Sequence, residues 1–106
     1  MINVSSARAS IHALTSGQLP PTASIPYSLS KVALNVLGLE FAKKWPEVGF
    51  CAASPGHCRT ALNGFRGERE PGEGARVVVE LALGSGGYGG GFWRWSWEEG
   101  MRVVEW

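Results

Sequence analysis

The residues best suited to chemistry are a tyrosine and a lysine four apart, in Tyr27-Ser28-Leu29-Ser30-Lys31. Side chains at this spacing share a helical face, one turn from each other. A phenol ordinarily keeps its proton until about pH 10, too high for ready proton exchange at neutral pH. A neighbouring ammonium favours the phenolate and brings that exchange toward the working range. Such a pair can give a proton to a carbonyl oxygen while hydride reaches the carbon. By itself Tyr-x-x-x-Lys is a common accident of helix surfaces, but two further segments give it a setting. Upstream stands Asn3-Val4-Ser5-Ser6, a strand end that delivers hydroxyls into a loop. Downstream, Ser54-Pro55-Gly56-His57-Cys58-Arg59-Thr60 closes a second strand. In an open parallel sheet, ligands bind beyond the carboxyl ends of the strands, and all three segments fall at that edge.

The elements that must hold these residues follow from the pattern. Ile2–Ser5 reads as a short strand, and residues 8–26 as a loop broken by Ser, Thr, Gly17 and Pro20-Pro21. Tyr27–Trp45 is helical and apolar on most sides, so a sheet and a second partner should both cover it, and Pro46 ends it. Val48–Ala53 is a second strand, closed by Pro55-Gly56, and residues 57–69 form a polar loop. A second helix starts at Pro71, a residue suited to the first helical position, with Glu73 in its first turn. The β-branched Val77-Val78-Val79 leaves helix against strand open by propensity alone. Gly84-Ser85-Gly86-Gly87-Tyr88-Gly89 spells a dinucleotide fingerprint, but it follows a helix and precedes the strand-like Gly91–Trp95, the reverse of the context that motif needs. We read it as a flexible turn. Trp93, Trp95 and Trp97 alternate as a strand would present them, and the tail from Trp97 has mixed character. The alternation of strand and helix implies parallel strands with right-handed crossovers.

Composition narrows the class further. The 106 residues suit one small domain or part of a larger one. A net charge of +1 gives no electrostatic case for nucleic acid or an anionic membrane as partner. No run is long and apolar enough to span a bilayer. Cys51 and Cys58 are too few for a disulfide framework and lack metal-site spacing with His12 and His57, so we expect no metal and two reduced thiols in a cytoplasmic protein.

Asn-x-Ser-Ser, Tyr-x-x-x-Lys and Pro-Gly-x-x-x-Thr, in this order, resemble the C-terminal half of the short-chain dehydrogenase/reductases. Pro-Gly-x-x-Arg-Thr, the Pro71–Ala75 helix start and the ending Arg102-Val103-Val104-Glu105-Trp106 are similar to the carbonyl reductases in particular. The resemblance implies an α/β fold, the C-terminal half of a Rossmann-like doubly wound parallel sheet with about three parallel strands and two crossover helices. It implies NADPH-dependent reduction of a ketone or aldehyde, with NAD not excluded. By position, Tyr27 would donate the proton, Lys31 would tune it and bind the nicotinamide ribose, and Ser6 would hydrogen-bond the substrate carbonyl, with Ser5 the fallback. Tyr27, Lys31, Pro55, Gly56, Cys58 and Thr60 would contact the cofactor, and the loop 57–69 would cover the substrate. His57 could touch substrate, although the plainer reading is a loop side chain. The family's glycine-rich nucleotide loop has no counterpart here, and the stretch between Ser6 and Tyr27 is longer than the family's short form. On this resemblance residues 1–106 are the C-terminal catalytic part of a domain whose nucleotide-binding half is absent. The isolated chain is then expected to be inactive, and to act with a small carbonyl substrate only in a longer polypeptide. The alternative is a non-catalytic remnant that keeps the helix Tyr27–Trp45 as a surface for self-association.

Overall fold

The structure, a computed structural model, describes residues 1–84 and 87–106. Ser85 and Gly86, in the middle of the expected glycine-rich turn, lie outside the described residues. Four strands form one sheet: β1 (Ile2–Val4), β2 (Cys51–Ser54), β3 (Phe92–Ser96) and β4 (Gly100–Val103), in that spatial order. The first three are parallel, with Asn3 opposite Ala52 and Ala53 opposite Trp93. β4 turns back antiparallel on β3, Arg102 opposite Arg94. The three expected parallel strands are present, and this fourth, antiparallel strand adds to them. Its start is marked only by Gly100, which turns at φ 66° where a side chain would be strained.

Helix α1 (Ile11–Thr15) precedes α2 (Ile25–Lys44) and α3 (Pro71–Leu83). The segment 8–26 is therefore not all loop. Ser10 caps α1 by accepting from the Ala13 N–H, and Ala9 and Ala13 are buried. Residues that read as loop breakers in the sequence act here as a cap. The long helix also begins two residues before Tyr27, because Pro26 sits in its first turn, where a missing N–H costs nothing. α3 has the limits expected from the sequence.

α2 and α3 cover opposite faces of the sheet. Gly38 of α2 lies against the Asn3 amide, on the face that also carries Ala52, Phe92 and Val104. Val77, Val78 and Leu81 of α3 pack against Ala53, Trp95, Ile2, Trp93 and Met101 on the other. Two successive crossovers that step the same way across a sheet and share a hand must lie on one face. One of these two therefore departs from the right-handed rule, correcting the expectation of a common hand. What decides it is the apolar stripe of α3, which meets its partners on the face that α2 leaves open.

Candidate active site

β1, β2 and β3 run parallel, so their carboxyl ends share one edge of the sheet. Ser5 continues the ladder beyond β1, its N–H donating to the Ala53 carbonyl at 2.7 Å. At the end of β2 the Ser54 hydroxyl accepts from the Ala7 N–H at 3.0 Å and ties the two strand ends together.

Across this edge passes the first part of α2. The Lys31 ammonium donates to the Val4 carbonyl at 2.9 Å, immediately before Ser5-Ser6. The same ammonium lies 5.8 Å from the centre of the Tyr27 ring. Tyr27 is 41% exposed. The Ser30 hydroxyl is spent within the helix, donating to the Tyr27 carbonyl at 2.7 Å.

The two serines differ. Ser5 is buried, and its hydroxyl has no hydrogen-bond partner among the described residues. Ser6 is half-buried and caps a short 3-10 turn, accepting from the Arg8 N–H at 3.2 Å. Accepting uses a lone pair and leaves the Ser6 O–H free to donate.

Pro55, Gly56 and Cys58 belong to a second cluster, beyond β2. Gly56 has φ 82°, and a β-carbon there would sit 2.8 Å from Cδ of Arg69. Arg69 donates to the Pro55 carbonyl at 3.3 Å, to the Trp95 carbonyl at 2.8 Å and to Glu73 at 2.7 Å. The Cys58 thiol donates to the same Pro55 carbonyl at 3.6 Å and fills the space over Gly74 of α3. Thr60 lies farther along, where its N–H donates to Asn63 Oδ1 at 3.2 Å, and Asn63 Nδ2 reaches back to the Cys58 carbonyl at 2.8 Å. The structure thus brings Lys31 and Tyr27 to the end of β1, and Pro55, Gly56 and Cys58 to the end of β2. Arg69, Glu73 and Asn63 hold the second cluster; sequence reasoning placed Glu73 in the first turn of a helix and the other two in a covering loop, but gave none of them this role. The signal for one pair was present, since Arg69 and Glu73 have the same four-residue spacing as Tyr27 and Lys31.

No family model matches the chain. Over 63 residues, 59% of its length, it is 35% identical to (+)-neomenthol dehydrogenase of Capsicum annuum, and this covers 20% of that protein. Among solved structures it is similar to a Burkholderia multivorans protein described as a short-chain dehydrogenase/reductase with bound NADP, at 26% identity and a TM-score of 0.74. It is also similar to NADPH-bound carbonyl reductase from chicken fatty liver, at 26% identity and a TM-score of 0.67. Each match covers 99% of this chain, but only 43% and 42% of the solved chains.

Proposed function

From a chain that is short-chain dehydrogenase/reductase-like in sequence and fold, we infer an oxidoreductase that reduces a ketone or aldehyde with NADPH through Ser6, Tyr27 and Lys31. The observation that carries this reading is the Lys31–Val4 bond, which pins the lysine of Tyr-x-x-x-Lys to the strand end bearing the serines. NADP is the cofactor of both solved neighbours, and the residues here suit it. One Lys31 proton is used on Val4, leaving two for ribose hydroxyls. The Pro55-Gly56 turn, packed from one side by Arg69, would meet the nicotinamide ring through its backbone groups.

When bound, NADPH supplies the hydride. Tyr27 gives its proton to the substrate oxygen as charge develops there. The Lys31 ammonium, 5.8 Å from the centre of the Tyr27 ring, would offset the negative charge left on the phenol oxygen. Ser6 donates to the same oxygen and stabilises its negative charge. On this reading residues 1–106 are the C-terminal catalytic part of a longer domain, and the nucleotide-binding part comes from residues such as those the longer relatives carry.

The test is NADPH oxidation with cyclic ketones and aldehydes, by the 106-residue chain and by the chain joined behind the nucleotide-binding half of a relative. We expect little turnover from the first and activity from the second. Tyr27→Phe should lower that activity by roughly 10²–10⁴-fold, the usual contribution of a general acid. Full activity in Tyr27→Phe would overturn the assignment. A second reading, an interaction module, is favoured by the exposed apolar side chains of Ile25, Leu29, Val36 and Leu37 on α2. An inactive joined protein that still self-associates through α2 would support it.

A further inference from the structure

We propose that Arg69 is a positioning residue that fixes the Pro55-Gly56 turn at the carboxyl edge of the sheet. The inference rests on the reductase reading for its functional consequence, but its structural part stands on geometry alone. Arg69 ties three elements that meet at this edge: the turn after β2 through Pro55, the start of α3 through Glu73, and the end of β3 through Trp95. Its own backbone is held as well, because the Arg69 carbonyl accepts from the Arg59 N–H at 2.8 Å and its N–H donates to the His57 carbonyl at 3.2 Å.

Burial and charge make this more than a surface pair. The side chains of Arg69 and Glu73 are only 22% and 24% exposed, and two guanidinium nitrogens, at 3.0 and 2.7 Å, converge on one Glu73 oxygen. Glu73 therefore compensates the charge and fixes the plane of the guanidinium. The remaining N–H groups then point at the two carbonyls in a set geometry, which a lysine, as a single point charge, cannot reproduce in full.

The consequence for the turn follows from peptide planarity. The peptide bond between Pro55 and Gly56 is trans, so the Pro55 carbonyl and the Gly56 N–H point opposite ways in one plane. The Pro55 carbonyl is drawn inward by Arg69 Nη1 and by the Cys58 thiol. The Gly56 N–H must then face away from them. Gly56 itself admits the clamp, since a β-carbon at that position would strike Arg69 Cδ. Arg69 thereby sets the direction of the backbone donor that a ring docked on this turn would meet.

The test compares wild type with Arg69→Lys and Arg69→Met in two arms. In the first, amide hydrogen exchange and thermal unfolding are measured on the 106-residue chain. We expect the amides of residues 56–59 to exchange at least tenfold faster in Arg69→Met, α2 amides to stay within twofold, and Arg69→Lys to recover part of the protection. Equal exchange at 56–59 in all three proteins, or a uniform loss over the whole chain that Arg69→Lys shares, would overturn the clamp. In the second arm, the chain joined to a nucleotide-binding half is assayed for turnover and for NADPH affinity by fluorescence. Arg69→Met should lower kcat about tenfold while changing NADPH affinity less than twofold, with Arg69→Lys between the two. A loosened turn with unchanged kcat would overturn its bearing on the site. An inactive wild type in this arm would instead overturn the reductase reading, and the functional role with it, while the first arm still decides the clamp.

Discussion

At the scale of single residues, the hydroxyls at and near the carboxyl edge of the sheet divide into those with a proton still to donate and those already committed. Ser6 keeps a donor to offer, while Ser10 both accepts from the Ala13 N–H and donates to the Glu105 carbonyl. Cys51 illustrates the inert end of the range. Burial pushes its thiol up from the ordinary cysteine value, and the nearby N-terminal ammonium opposes this only in part. The thiolate is the nucleophile, so Cys51 should alkylate more slowly than an unfolded thiol around pH 8–9. The sign for stability follows. The folded state holds a proton that the unfolded chain releases, so this contribution is full below the unfolded thiol value of about 8.5 and is lost as pH rises through the folded one. Iodoacetamide rates against pH in a Cys58→Ser background, with and without denaturant, would check it. Equal rates in both conditions would contradict the burial effect.

At the scale of elements, α3 is held at its first turn by close contact rather than by a cap. Glu70 makes no side-chain cap bond, and the work falls to Gly74, over which Cys58 and Pro55 pack. A β-carbon at Gly74 would lie 2.1 Å from the Cys58 sulfur and 3.1 Å from the Pro55 carbonyl. Gly74→Ala would gain about 1 kcal/mol in helix propensity, but overpacking of this kind costs about 1–3 kcal/mol. We expect a net loss, seen as a Tm lowered by several degrees. Cys58→Ala should recover much of that loss in the double variant, since the two atoms compete for one space. Additive effects in thermal unfolding would show that the clash lies elsewhere. The same contact joins α3 to the turn that Arg69 clamps, so one small region fixes helix, loop and strand end together.

At the scale of the whole molecule, two surfaces stand uncovered. Among the described residues β1 is the outermost strand, paired with β2 alone. On α2, the side chains of Ile25, Leu29, Val36 and Leu37 are 62%, 64%, 53% and 47% exposed, and the spacing of Ile25, Leu29 and Val36 places those three on one side of the helix. A contiguous apolar stripe of this kind marks an interaction face. We therefore expect the 106-residue chain to form concentration-dependent oligomers, and Leu29→Glu with Val36→Lys to shift it toward monomer in light scattering. A monomer at all concentrations would remove the self-association reading. Among the described residues, no helix is long and apolar enough to cross a membrane.

The sequence alone determined the two long helices, the three parallel strands and the spacing of Tyr27 and Lys31 on one helix. Tyr27 and Lys31 are legible because a four-residue spacing is a local property of a helix, and α3 because Pro71 and Glu73 mark its start within one turn. The parallel order of β1, β2 and β3 follows from the alternation of strand and helix. Tertiary structure decided the rest. Nothing local distinguishes Ser5 from Ser6: the ladder to Ala53 and the cap on Arg8 separate them. β4 exists because β3 offers it an edge, and mixed composition gave no period to read. The opposite faces of α2 and α3, and the three carbonyl and carboxylate partners of Arg69, depend on residues far apart in the chain. Such contacts are energies of packing and pairing, which no spacing along the backbone encodes.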